Sequence, residues 1–149
     1  MTTKQFLPLP YGKDVYSELK GNGCYFVDKT PYLKELIDKD KSNVMLFTRP
    51  RRFGKTLFMS MVEYFLKINS ANPGDTILQQ KLFKDTKILE DREFCAKYMG
   101  QHPVICLTLK GVYGKTFTSA YYKLAELIVA KAKEYSFLKD SLALNDDDK

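Results

Sequence analysis

The run from Asn43 to Ile68, NVMLFTRPRRFGKTLFMSMVEYFLKI, constrains this chain more than any other stretch. It opens with a short apolar segment, passes through a tight basic loop, and continues with apolar residues at helical spacing. Gly54, Lys55 and Thr56 stand where loop turns into helix. The spacing is that of a phosphate-binding loop, G-x-x-x-x-G-K-[ST], with Arg49 in the slot of the first glycine. The expected binding set is Arg49, Pro50, Arg51, Arg52, Phe53, Gly54, Lys55, Thr56 and Leu57.

Each part of the run has a physical reason. Val44 to Phe47 are apolar and partly β-branched, as a buried parallel strand requires. A loop of successive N–H groups, followed by a helix N-terminus, presents partial positive charge to an anion. Gly54 removes the Cβ that would hold a phosphate off the backbone. Lys55 would reach the β- and γ-phosphates of ATP, and the Thr56 hydroxyl would ligate Mg²⁺. Leu57, Phe58, Met61, Val62, Phe65 and Leu66 give the helix a wide apolar face. The competing reading is a basic strand–helix turn that binds nothing, with Lys55 and Thr56 as ordinary first-turn residues.

Four segments carry a family resemblance. TRPRRFGKT, from Thr48 to Thr56, resembles the signature of the bacterial AAA-ATPase-like family. YFVDKT (Tyr25 to Thr30), LFKDTKI (Leu82 to Ile88) and HPVICL (His102 to Leu107) resemble three further segments of that family, in its order. The resemblance runs from about Pro8 to Leu109, and arginine in the slot of Arg49 is usual there. It implies an α/β fold with a P-loop NTPase-type αβα core, ATP and Mg²⁺ as ligands, and a PD-(D/E)XK nuclease-like domain after the P-loop domain. Nucleic acid would then be a partner through that linked domain, which this chain does not contain. Self-association stays open.

The remaining composition narrows the setting. The 149 residues suit one domain, and 44% hydrophobic residues suffice for a core. Cys24, Cys95 and Cys106 form no C-x-x-C pair and share no metal-ligand spacing with His102. They read as reduced thiols, each a small core residue rather than a nucleophile. No apolar stretch approaches a membrane span, and the N-terminus lacks the apolar region of a signal peptide, so the expected setting is cytoplasmic and free of membrane. The net charge of +6 is concentrated in part at Arg49, Arg51 and Arg52, where an anionic ligand explains it better than a nucleic-acid patch.

A coarse pass yields an α/β pattern. Cys24 to Val27 reads as a short strand or an extended lead-in. Thr30 and Pro31 open a helix to about Asp38. Asn69 to Thr76 is turn-rich, and Ile77 to about Met99 holds one or two helices stopped by Gly100. Val104 to Leu109 is the second expected strand. Lys115 to Phe137 is the last helix, with Ala120, Tyr121, Leu124, Leu127, Ile128 and Ala132 on one side. The polar tail runs from Asn145 to Lys149. The expected organisation is a lead-in over about 1–40, the P-loop strand and helix over 43–68, a helical part over 77–100, a strand and helix over 103–137, and a tail over 138–149.

One element of a hydrolysing site is missing from the pattern. The acid that holds the Mg²⁺ shell belongs at the end of an apolar strand downstream of the loop. The segment from Val104 to Leu109 ends instead in Lys110, while Asp28 precedes the loop. Glu63 stands two turns past Thr56, pointing away from the phosphates. The chain is therefore expected to be the N-terminal part of a longer ATPase, or a truncated relative, that binds nucleotide without completing hydrolysis. Strand edges and apolar surface would then stay uncovered. Two other functions remain: a P-loop kinase, and a basic nucleic-acid-binding module without nucleotide chemistry.

Overall fold

The structure is a computed structural model that describes residues 7–37 and 44–137. Asp38, Asn43 and the polar tail from Asn145 lie outside the described residues. Among the described residues, six α-helices follow in order: α1 Tyr16–Gly21, α2 Pro31–Ile37, α3 Lys55–Leu66, α4 Ile77–Leu82, α5 Arg92–Tyr98 and α6 Phe117–Glu134. Short 3-10 turns occupy Lys87–Glu90 and Leu109–Gly111.

The core forms round α3. Met61 and Phe65 are buried on it, with Leu57, Phe58, Val62 and Leu66 packed at the margin, as the helical spacing of these residues predicts. Phe65 stacks on Phe94 and meets Phe83 edge-on at ring-centroid distances of 5.8 and 5.3 Å. Tyr16 is fully buried against Phe83, and its backbone N–H donates to Ser60 Oγ at 2.9 Å. Ser17 Oγ donates to Tyr64 Oη at 2.9 Å, so two polar clasps hold α1 on α3. Burial pushes the Tyr16 phenol well above its usual pKa, with the Asp28 carboxylate adding to the effect.

The expected α/β core does not form: among the described residues there is no strand and no sheet. Residues 44–50 and 103–107 are irregular and carry no ladder. One isolated parallel bridge joins Lys67 to His102, where Ile68 N donates to His102 O at 2.8 Å and His102 N donates to Leu66 O at 2.9 Å. The physical reason lies in pairing. An apolar run favours a pleated surface, yet it becomes a strand only when a second backbone takes up its hydrogen bonds. Val44 and Leu46 instead stand 83% and 85% exposed. The Val104 backbone is served by a side chain, since its N–H donates to Tyr135 Oη at 2.9 Å and its carbonyl accepts from the same hydroxyl at 2.6 Å. Cys24 to Val27 likewise forms no strand.

Helix α6 packs differently from the rest. It has no buried residue, and Tyr121 and Ile128 on its apolar side are 58% and 52% exposed. Its start is a reciprocal cap, in which Thr116 Oγ1 accepts from Ser119 N and Ser119 Oγ accepts from Thr116 N. Its far end is tied to α3 by the Lys67 pair with Glu134, flanked by Lys67–Glu63 at 3.5 Å and Lys131–Glu134 at 3.1 Å. The hydrogen bond from Lys67 holds the Glu134 carboxyl below its ordinary pKa against a smaller opposing effect of burial.

Candidate functional site

The basic loop and α3 meet at Gly54, which is left-handed at φ 76° and stands at the N-cap of the helix. Arg52, two residues earlier, is also left-handed at φ 66°, a conformation uncommon for a residue with a Cβ. No side chain caps the helix, and its first turn contains no acid. The first helical bond runs from Phe58 N to Gly54 O at 2.9 Å, so the first-turn N–H groups before it have no intrahelical acceptor.

The Lys55 side chain bends back over the loop. Its ammonium donates to Arg49 O at 2.7 Å and to Pro50 O at 2.9 Å. Arg49 Nη1 donates to the Thr48 carbonyl at 3.1 Å.

An open cavity of about 1050 Å³ lies beside the loop, between residues 45–47, α3 and residues 104–107. Of the expected binding set, Arg49, Phe53, Gly54, Lys55 and Thr56 line it. Pro50, Arg51 and Arg52 sit on the exposed outer turn, and Leu57 faces the helical core. Phe47 lines the cavity and meets Phe58 at 5.3 Å between ring centroids, which gives the site an apolar wall. Cys106 also lines it, and burial, aided by the nearby Glu63 carboxylate, raises its thiol pKa.

The carboxylates separate into two kinds. Asp28 is spent on the backbone: Oδ1 accepts from Thr30 N at 2.9 Å and Oδ2 accepts from Lys87 N at 2.8 Å. Burial would raise its pKa, but these bonds outweigh it and the carboxyl is held below the usual value. Glu35 and Glu63 both line the cavity, although Glu63 is engaged by Lys67. Among the described residues no group of His, Cys, Asp and Glu side chains forms a metal site.

Lys29 is a cavity residue that motif spacing did not single out. Its ammonium lies 3.9 Å from the point a Cβ on Gly54 would occupy. The available signal was its place between Asp28 and Thr30, just before a proline-started helix.

A basic Gly-Lys-Thr loop thus heads helix α3 beside a cavity with an apolar wall. The chain belongs to the predicted AAA-ATPase (AAA-ATPase-like) family, whose model matches residues 10–149. A relative described as an uncharacterized protein in the vnfD 5' region of Azotobacter chroococcum mcd 1 is 26% identical over 121 residues, covering 80% of this chain and 20% of that protein. The chain thus spans about a fifth of the length of this curated relative. No solved structure gives a significant match. Among the described residues no helix is long and apolar enough to cross a membrane.

Proposed function

We propose that residues 48–56 form a phosphate-binding loop for a nucleoside triphosphate, with ATP and Mg²⁺ as the ligands. The observation that carries this reading is the head of α3. Left-handed Arg52 and Gly54 directly precede a helix N-terminus that no side chain caps. Such backbones turn N–H groups inward and make a concave anion site. The donor set fits the group: Lys55 supplies a cation, the first-turn N–H groups supply neutral donors, and Thr56 supplies a hydroxyl oxygen for the metal. Mg²⁺ would neutralise phosphate charge when bound.

Lys55 has a definite part in this. In the ligand-free loop its ammonium satisfies two neutral carbonyls, Arg49 O and Pro50 O. Phosphate oxygens accept stronger, charge-assisted bonds, so Lys55 exchanges its loop carbonyls for the ligand. The apolar wall at Phe47 and Phe58 is suited to the less polar part of a nucleotide. Membership of the predicted AAA-ATPase family supports the same reading, and the three free thiols support a reducing, cytoplasmic setting. The reading is one of binding.

Thermal unfolding with Mg·ATP tests it. A ligand at about a hundredfold its dissociation constant adds roughly 2.7 kcal/mol to stability. The wild-type chain should gain such a shift, and Lys55→Met should lose most of it. An unchanged melting curve in excess Mg·ATP would return the loop to an ordinary basic turn. Alanine variants of Arg49, Arg51 and Arg52 add a second arm. Equal losses of single-stranded DNA affinity with no loss for ATP would favour a nucleic-acid module instead.

A further inference from the structure

The segment Asp28-Lys29-Thr30 is built as a strut. Asp28 accepts from the N–H groups of Thr30 and Lys87, and fully buried Thr30 accepts from Ile88 N through Oγ1 at 3.2 Å. Both flanking side chains therefore grip the turn at residues 87–88. The same segment turns at once into a helix start, with Tyr32 N donating to Lys29 O and Leu33 N to Thr30 O. Held in this turn, Lys29 has its ammonium 3.9 Å from the point a Cβ on Gly54 would occupy. Among the described residues no carboxylate pairs with that ammonium.

We propose that Lys29 is a second phosphate-binding lysine, delivered to the loop from outside it. The proposal rests on the reading of residues 48–56 as a phosphate site. Lys29 and Lys55 border the same cavity. The Lys29 ammonium lies 3.9 Å from the Gly54 Cβ point, so an oxygen resting against the Gly54 backbone falls within its reach. The two lysines differ in their resting state. Lys55 is held by loop carbonyls, whereas Lys29 is already aimed at the anion position by its anchored neighbours. Little backbone freedom remains to be lost when Lys29 engages a ligand. The ligand class is a polyphosphate, recognised through its charge and oxygens and not through a base.

Calorimetric titration of the whole chain with Mg·ATP and with inorganic tripolyphosphate tests this, using wild type, Lys29→Met, Lys29→Arg and Lys55→Met. Loss of one charged hydrogen bond should weaken both ligands by about tenfold or more in Lys29→Met. Lys29→Arg should recover most of the affinity. The ligand-free melting temperature should not move, because Lys29 is exposed. If wild type binds and Lys55→Met loses affinity while Lys29→Met matches wild type, Lys29 has no such role and the loop reading stands. An effect on ATP that is absent with tripolyphosphate also overturns the proposal. If folded wild type binds neither ligand, the loop reading and the Lys29 assignment fall together.

Discussion

The Lys55 ammonium donates to the carbonyl oxygen of Arg49, six residues back, at 2.7 Å. Together with the bond to Pro50 O, this ties the two ends of the basic loop. Both bonds are near the surface, where such contacts contribute little to stability. Lys55→Met should therefore change ligand-free stability by less than about 1 kcal/mol, while removing the Mg·ATP shift. Chemical denaturation without nucleotide, compared with melting in its presence, separates the two effects. A large ligand-free loss would mean that Lys55 is chiefly a structural clasp.

Asp28 sets an acid limit on the fold. Its carboxyl pKa is depressed in the folded chain, so its contribution is complete above the ordinary value of 3.8 and is lost as pH falls through the lower folded value. Asp28→Asn keeps an oxygen for one N–H but offers an amide to the other. It should cost about 1–3 kcal/mol at neutral pH, the range for a lost charged or unsatisfied hydrogen bond. The melting temperature of the variant should also fall less steeply below pH 3.8 than that of wild type. Parallel acid limbs for the two proteins would remove Asp28 as a source.

Arg52 stores backbone strain, because a left-handed residue with a Cβ costs about 1–2 kcal/mol. Arg52→Gly should stabilise the ligand-free chain by up to about 1 kcal/mol, after the larger unfolded-state freedom of glycine is taken off. Arg52→Val, β-branched, should destabilise it by about 1–2 kcal/mol. Urea unfolding of the pair gives the sign directly, and equal midpoints would show that the loop relaxes at no cost.

Gly114 lies against the cap of α6. A Cβ there would meet the Ala120 backbone nitrogen at 2.8 Å and run into the Ser119 hydroxyl. Gly114→Ala should break the reciprocal Thr116–Ser119 cap, a loss of about 0.5–2 kcal/mol. Amide hydrogen exchange should rise in the first turns of α6 and stay unchanged in α3. Unchanged protection in α6 would mean that the backbone shifts aside.

The helices were legible where periodic apolar residues meet a local start signal. The six apolar positions of α3 and the Pro31 start of α2 are both written in short-range pattern. Helix α1 was not legible: its six residues begin after Val15, which supplies no side-chain cap, and it is held by contacts to Ser60 and Tyr64 far along the chain. The two expected strands failed for a related reason. An apolar run says that a segment favours burial, while pairing depends on which backbone lies alongside. For Val104 that neighbour turned out to be the Tyr135 hydroxyl. At the candidate site, the loop was read from spacing within a few residues. Lys29 reaches Gly54 only because Asp28 and Thr30 grip residues 87 and 88, which no local spacing encodes.

The bond from Lys87 N to Asp28 also closes a ring of chain 59 residues apart, and the whole basic loop and α3 lie inside it. Closure entropy grows only with the logarithm of ring length, so even doubling the enclosed chain would cost about 0.6 kcal/mol. Extra residues inserted in the turn at 69–76 would therefore barely tax the clasp. Lys29 would keep its aim at Gly54 while that turn varied in length, which makes the turn the natural place for this fold to absorb insertions.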